Sequence, residues 1–498
     1  MTTTDGNRFQ QRTRSIPKFS MLTPDDCEFV HRTSLEILRR TGVRVYHEEA
    51  LSLLKQTGAV TIEDSNLVRF QPGIVEWAIK QPPCRIPLCR RGGDEVVAPL
   101  EGRLVTFGTG SDCRKFLDPR TGQRRLFTSA DLADCAHVVD ALPELQFCMS
   151  MGMLSDVEKV NHYREQFALM LTNTSKPLVF VCDDRSDCEA IVAMASAASG
   201  GIERLRINPS LLLYSEPSSP LKHSDTALGK LLYMAEQSLP VVHSPAPVQG
   251  ASGPVTVAGA LAMANAEVLS GITIHQLKRA GAPIVYGLGM HHLDMRTAIP
   301  VFICPEFLLA RIAVAEMGQF YGLPTWGYAG DCNSCTMDEQ AASEITVSVM
   351  LSLLAGNNLV HDIGYLETGL TASPENMVFS NEVISMMRKI MDGITFDRDT
   401  LALDTIHELG HFGDYLSSEH TMTHFRELWR PGLFSRTVAE KWDNAGGKRL
   451  GEVLREKTIA IIEEHRPAEL PASVCGEIQY ILKNGALQNS AQTEIRLA

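Results

Sequence analysis

Basic charge is what this 498-residue chain is short of: Lys and Arg total 46 against 59 Asp and Glu, a net charge of −13. A phosphate backbone is held by clustered Lys and Arg. No basic patch with interleaved aromatics occurs here, so no nucleic-acid partner is expected. No run approaches the roughly 20 apolar residues that span a bilayer, so no membrane association is expected either. The opening stretch MTTTDGNRFQQRTRSIPKF has no apolar core and does not read as a signal peptide. These absences lead to the expectation of a cytoplasmic protein. Nor is there a cysteine framework. The twelve cysteines are scattered, mostly inside apolar segments such as Phe147-Cys148 and Val181-Cys182, and read as small buried hydrophobes. Cys332-x-x-Cys335 has no second CxxC to complete a zinc site, which needs three or four ligands.

What remains is the composition of a globular enzyme, with 44% apolar and 21% charged residues. Residues 1–17 are polar and expected to be disordered. Residues 18–103 read as an N-terminal cap, with Thr23-Pro24 as a helix start. From Leu104 a period sets in. Apolar, β-rich runs occur at Leu104–Phe107, Gln146–Ser150, Leu178–Cys182, Leu211–Tyr214, Pro240–His243, Pro283–Tyr286, Pro324–Tyr328 and Asn358–Asp362. Each is followed by a helical pattern, at about 129–142, 158–174, 185–199, 223–237, 257–280, 305–321, 338–355 and 376–390. Eight strands alternating with eight helices predict an α/β fold, a (β/α)8 TIM barrel over 104–400. Capping boxes are expected at Ser155 to Glu158 and at Thr336 to Glu339, and Pro305 opens a helix. Residues 401–485 form a C-terminal extension, and 486–498 a polar tail.

In such a barrel the chemistry sits on the loops after the strands. Here they are rich in glycine, serine and proline, and a set of ionisable and aromatic side chains converges on them. His361, Asp331 and Glu367 are the candidates for catalysis. Glu216, His243, Tyr286, His291, His292, Tyr328, Asn333, Asp362 and Tyr365 are the candidates for substrate binding, with Asp112 and Tyr214 on the same loops. His361-Asp362 is the strongest pair, two polar groups ending an apolar strand.

A different chemistry is suggested by His407-Glu408-Leu409-Gly410-His411, which matches HExxH. Both histidines must then share one helical face, and Gly410 weakens that helix. The longer zincin pattern would want glycine at Asp414 and histidine at Ser417. A zinc hydrolase is therefore the weaker alternative, and no metal is expected.

Four long motifs carry a family resemblance: GASGPVTVAGALAMANAEVLSGITIHQL (250–277), Asp338-x-Gln340-Ala341 to Glu344, HDIGYLETGLTASPENMVFSNEVISMMR (361–388) and FGDYLSSEHTMTHFRELWRP (412–431). With them the chain, from about Leu22 to Arg466, resembles the trimethylamine methyltransferase (MttB-like) superfamily. The resemblance implies a barrel that transfers a methyl group from an amine to a corrinoid protein. Some members carry pyrrolysine in the barrel, near the equivalent of Gly330 to Cys335. Here Cys332-Asn333-Ser334-Cys335 stands there, which implies a member without pyrrolysine. Such members resemble demethylases of quaternary amines such as glycine betaine. No corrinoid-binding Asp-x-His-x-x-Gly pattern occurs, so the cobalamin is expected to come from a partner protein, none being bound by this chain. Self-association into a homo-oligomer is expected too. A non-catalytic protein that binds or senses quaternary amines is the other alternative.

Overall fold

The computed structural model describes residues 13–497, with side chains from 14 to 484. Eight short parallel strands form its centre: β1 (Thr106–Thr109), β2 (Leu145–Phe147), β3 (Leu178–Phe180), β4 (Leu211–Ser215), β5 (Val241–His243), β6 (Ile284–Val285), β7 (Trp326–Tyr328) and β8 (Leu359–Ile363). One ladder runs β2-β1-β8-β7 and another β3-β4-β5-β6. Bridges Cys148↔Leu178 and Tyr286↔Thr325 join them, so the ring closes as expected. The helices that cover it are α1 (Ser129–Ala141), α2 (His162–Asn173), α3 (Arg185–Ser199), α4 (Asp225–Gln237), α5 (Val257–Lys278), α6 (Pro305–Tyr321), α7 (Glu339–Ala355) and α8 (Pro374–Met391).

Local chemistry explains most helix starts. Pro305 opens α6 as expected. The two capping boxes do not form. The cap of α7 is Asp338, whose carboxylate accepts from Ala341 N and Ser334 Oγ, each at 2.9 Å. A 3-10 turn (Lys159–Asn161) precedes α2, and Asn161 makes no side-chain cap bond. Ser155 instead donates to Phe127 O at 2.8 Å, fastening its loop to the neighbouring one.

Helix α5 corrects the expectation that no segment has the length to cross a bilayer. Its 22 residues are long and apolar enough by composition. Every residue from Ala260 to Gln276 is buried, however, and it carries Asn265, Glu267 and His275 inside the protein. A helix that is apolar all round belongs in a core. Helix Pro24–Arg40, capped by Thr23 and Asp26, packs against it.

The N-terminal region also closes the bottom of the barrel. Hairpin Ile86–Cys89/Val96–Leu100 sends Ile86, Leu88, Ala98 and Leu100 into one buried cluster with Phe147, Val179, Leu212, Val242, Val285 and Leu359. Cys89 N bonds Pro209 O, just before β4, and Asn358 Nδ2 bonds the Glu101 and Leu104 carbonyls. The plug therefore sits at the N-terminal ends of the strands, and the opposite end alone is left open. Leu88→Ala should lower the free energy of unfolding by about 2–5 kcal/mol, read from the urea midpoint. A loss under about 1 kcal/mol would mean that the hairpin is no part of the core.

Thr13–Ser15, within the stretch expected to be disordered, pairs antiparallel with Ile394–Phe396; residues 1–12 lie outside the described residues. Beyond α8 come short helices Leu403–Leu409, Glu419–His424 and Ala439–Asn444, then Leu450–Glu464, which packs on α8 and α1. Helix Ala472–Leu497 packs on α3, and its backbone runs through the expected polar tail. The HExxH stretch is not a metal helix. Its helix ends at Leu409, Gly410 leaves helical geometry at φ 55° and ψ −139°, and His411 lies beyond the break. Among the described residues no group of three His, Cys, Asp or Glu side chains is arranged to hold a metal ion.

Candidate active site

Alternation along the strands decides which side chains reach the lumen, because successive residues face opposite sides of a strand. Phe147 and Met149, Val179, Leu212, Val242, Val285, Trp326 and Tyr328, and Leu359 share the inner cluster, with Val181 and Tyr214 against it. His361 follows Leu359 at the same parity. Its ring lies 4.3 Å from that of Trp326, 4.4 Å from that of Tyr328 and 5.9 Å from that of Tyr214, centroid to centroid. These four rings make an aromatic floor where the plugged lumen opens into the mouth.

Ionisable groups stand on that floor. His361 Nδ1 is 3.0 Å from Gly327 O, so the neutral ring carries its proton there and turns a basic Nε2 inward. Nε2 lies 3.4 Å from Asp362 Oδ1. Burial, with the charge of Arg311, takes the His361 pKa down to about 3. Asp362 occupies a bulge: the β8–β1 register shifts between Val360 and Ile363, and Asp362 has φ +83°. Bulges beside active sites re-aim a side chain, and this one turns a carboxyl toward the histidine of the preceding position. Burial and the nearby Asp331 raise the Asp362 pKa well above the usual carboxylate range.

Asp331, fully buried after β7, accepts from Arg311 Nη2 at 2.6 Å. Arg311 reaches in from α6, stacked on Phe307 at 4.1 Å and 6.0 Å from the Tyr328 ring. Its Nη2 also donates to Phe302 O at 3.2 Å. Among the described residues its Nε and Nη1 have no hydrogen-bond partner, nor do Asp331 Oδ1, Trp326 Nε1 or His291 Nδ1, all of them buried. His291 lies between the rings of Phe302 (4.7 Å) and Phe307 (5.1 Å), and burial lowers its pKa to about 4. His292 follows it in the short strand His291–Asp294.

Glu216 borders the other side of the floor and accepts the hydroxyl proton of Tyr214. Burial and, less strongly, the charge of Asp112 raise its pKa. Asp112 is raised too, mainly by burial. Both carboxylates nevertheless keep open surface. Contacts run unbroken from Glu216 through Tyr214, His361, Tyr328 and Arg311 to Asp331, so these side chains form one contiguous cluster at the C-terminal ends of the strands.

Five expected site residues are placed elsewhere or are already engaged. Tyr286 and His243 have the wrong parity and face the helices. Tyr286 donates to Asn265 Oδ1 at 2.8 Å behind the barrel wall. His243 stacks on His223, 3.2 Å from its Nδ1, against Gly271 of α5. Glu367 sits at the rim with Lys115 and Arg124, both at 3.4 Å. Although burial opposes it, hydrogen bonds from Thr371 and Lys115 hold its pKa below the usual value. Asn333 spends its side chain on Phe302 N and Ile303 O. Tyr365 is a packing lock: its hydroxyl bonds the Ser111 backbone, and its ring fills the space beside Gly110, where an added Cβ would collide. Asn333 and Tyr365 shape the mouth without lining it.

Two lumen residues go unmarked in the sequence analysis. Trp326 shares the parity of Tyr328. Arg311 is a lone cation inside the apolar run Phe307–Ala315, and a charge in the middle of such a run needs a buried partner.

The sequence profile of the trimethylamine methyltransferase (MTTB) family matches residues 2–485. The chain belongs to that family. A trimethylamine methyltransferase MttB of Desulfitobacterium hafniense is 30% identical over 456 residues, covering 91% of each chain. One from Methanosarcina thermophila is 29% identical, over 93% of this chain and 96% of its own. A glycine betaine methyltransferase of Desulfitobacterium hafniense is also 29% identical, over 86% and 89%. Among solved structures, the monomethylamine methyltransferase MtmB of Methanosarcina barkeri aligns over 90% of this chain and 88% of its own, at 12% identity and a TM-score of 0.48. In this MTTB-family chain the Asp338 to Glu344 motif fixes the loop after β7. Asp338 caps α7, and Glu344 Oε2 accepts from Asn333 N at 2.7 Å.

Proposed function

We propose that this chain takes a methyl group from a quaternary amine of the glycine betaine kind and delivers it to the corrinoid of a separate carrier protein. Reduced cobalt in that corrinoid supplies the nucleophile. The N–CH3 bond breaks with its electron pair left on nitrogen, so the product leaves as a neutral tertiary amine and needs no general acid. A site whose central histidine is kept unprotonated by burial suits that chemistry. The protein's task is to hold the cation, to aim one methyl group out of the mouth and to keep water away.

The convergence of unpartnered, buried polar groups on an aromatic floor carries this reading. Tyr214, Trp326, Tyr328 and His361 offer ring faces to a trimethylammonium, each worth up to about 2 kcal/mol when desolvated. Glu216 supplies the opposite charge. Arg311 Nε and Nη1, with Trp326 Nε1, are donors with no acceptor among the described residues. A buried donor left unpaired costs roughly 1–3 kcal/mol, and a substrate carboxylate would relieve that cost. This favours a betaine over trimethylamine, and the relatives at similar identity include a methyltransferase for each. Exposed apolar side chains on loops after the strands, Met153, Val255, Met295 and Leu370 among them, offer a surface to the carrier and its macrocycle.

Titration calorimetry with glycine betaine and its carbon isostere tert-butylacetate tests the binding half. The isostere keeps shape and carboxylate but has no cationic nitrogen. Betaine should bind at least tenfold more tightly, and Glu216→Gln should weaken betaine alone. Equal affinities would rule out a cation site. A protein that only binds or senses the amine would pass this test and fail at methyl transfer.

A further inference from the structure

Arg311 and Asp331 make half of the contact open to them. Their side chains are 4% and 0% exposed, and one nitrogen, Arg311 Nη2, donates to Asp331 Oδ2 at 2.6 Å. A guanidinium and a carboxylate frequently close as a fork, with two parallel N–H···O bonds. Here the second prong is absent although both of its halves are present. Asp331 Oδ1, Arg311 Nε and Arg311 Nη1 are buried and have no hydrogen-bond partner among the described residues. Burying polar groups in that state is costly, so something must hold the fork open.

A second acceptor does so. The Phe302 carbonyl takes Nη2 as well, at 3.2 Å. Phe302 and Ile303 lie between the short strand Ile299–Val301 and helix α6. Among the described residues their amides and the Ile303 carbonyl are bonded by Asn333 alone. Asn333 Oδ1 accepts from Phe302 N at 3.1 Å and from Ile303 N at 3.4 Å, and Nδ2 donates to Ile303 O at 2.7 Å. Glu344 fixes Asn333 in turn, accepting from its backbone N at 2.7 Å. Asp331 and Asn333 stand two residues apart after β7. One loop therefore governs both acceptors of Nη2, the first directly and the second through Phe302.

We infer that Asn333 is a positioning residue: it pins Phe302 so that Arg311 meets Asp331 by one prong and keeps Nε and Nη1 free for the carboxylate of a substrate. This rests on the reading of Arg311 as the carboxylate's donor. Without the pin, Phe302 O leaves Nη2, and the guanidinium turns until Nε or Nη1 reaches Asp331 Oδ1. The ion pair then satisfies itself, and the ligand loses its fork.

Ligand-free crystal structures test the geometry, and calorimetry tests the consequence. In the unaltered protein Arg311 should touch Asp331 through Nη2 alone. In Asn333→Ala, and in Asn333→Leu, which keeps the volume and loses the bonds, two nitrogens should reach the two carboxylate oxygens at about 2.7–2.9 Å each. Both variants should bind glycine betaine and tert-butylacetate at least tenfold more weakly and tetramethylammonium nearly as before. In an Arg311→Met/Asp331→Leu background the same substitutions should change none of the three affinities. A residue that only stabilises its loop would lower affinity equally in both backgrounds. That equal loss, an unaltered protein with the two-pronged pair already formed, or variants that keep the single contact would each overturn the proposal. Should no onium carboxylate bind the unaltered protein, the function proposed above fails, and the crystal structures alone decide for or against the pin.

Discussion

Replacing Arg311 by methionine should remove most of the preference for a betaine over a plain onium ion. Arg311 carries five donors, and among the described residues only its Nη2 has partners, Asp331 and Phe302 O. Hydrogen bonds to a charged acceptor are worth about 1.5–3 kcal/mol each. Loss of the guanidinium should therefore weaken glycine betaine roughly 10- to 100-fold. Tetramethylammonium has no carboxylate and should lose little. The same substitution strands Asp331 as a buried, uncompensated charge, which costs about 3–5 kcal/mol in stability. Arg311→Met/Asp331→Leu separates the two effects, because removing both partners restores the fold without the donors. The ratio of the two affinities, measured calorimetrically on both variants, is the readout. A ratio equal to that of the unaltered protein would show that Arg311 has no part in recognition.

Acid should unfold this protein sharply. His223, His243, His275 and His361 are buried, and burial holds their pKa values low, at about 4 for His223 and about 3 for His275 and His361. In the unfolded chain each takes a proton near pH 6.5. The folded state refuses that proton, so the associated stability is complete above pH 6.5 and is lost as pH falls toward the folded values. Glu267 and Asp362 work the other way. Burial raises Glu267 to about 7 and Asp362 well above its usual value. Their contribution is present at low pH and lost as pH rises. His291, lowered to about 4, joins the first set, and Asp112 and Glu216, both raised by burial, join the second. The histidines outnumber the carboxyls, so stability should fall as pH drops from 6.5 to 4.5. Urea midpoints across that range measure it. His275→Leu should take one proton out of the slope, and a flat profile would mean that these histidines titrate as they do in water.

The ring of strands was legible because each strand is a short apolar run followed by a helix of full length, a pattern that survives errors of a residue or two at the ends. The mouth was less so. Ranking residues by loop position ignored the alternation along each strand, and that alternation sends Tyr286 and His243 to the helices while it sends Trp326 inward. Parity counted from Tyr328 and His361 would have found Trp326. Glu367 and Asn333 look free in a sequence because their partners lie far along the chain: Lys115 and Arg124 for the one, Phe302 and Ile303 for the other. Asp362 was legible beside His361 because two polar groups end an apolar strand, although the bulge that gives it φ +83° and turns it to the histidine was not. The absence of buried positions in 401–446 could not be read from composition, since its aromatic and aliphatic residues are as numerous as those of a packed segment.

Methyl transfer is the most direct test of the central claim, that one barrel mouth presents the methyl group of an onium carboxylate to a reduced corrinoid. Glycine betaine, carnitine, choline and trimethylamine are incubated with the protein, its matched corrinoid carrier and reductant, and the spectrum of the reduced corrinoid is followed. A trimethylammonium carboxylate should methylate the corrinoid fastest, with trimethylamine slow or inert. Transfer from trimethylamine alone, or from no donor while the carrier is competent, would contradict the account.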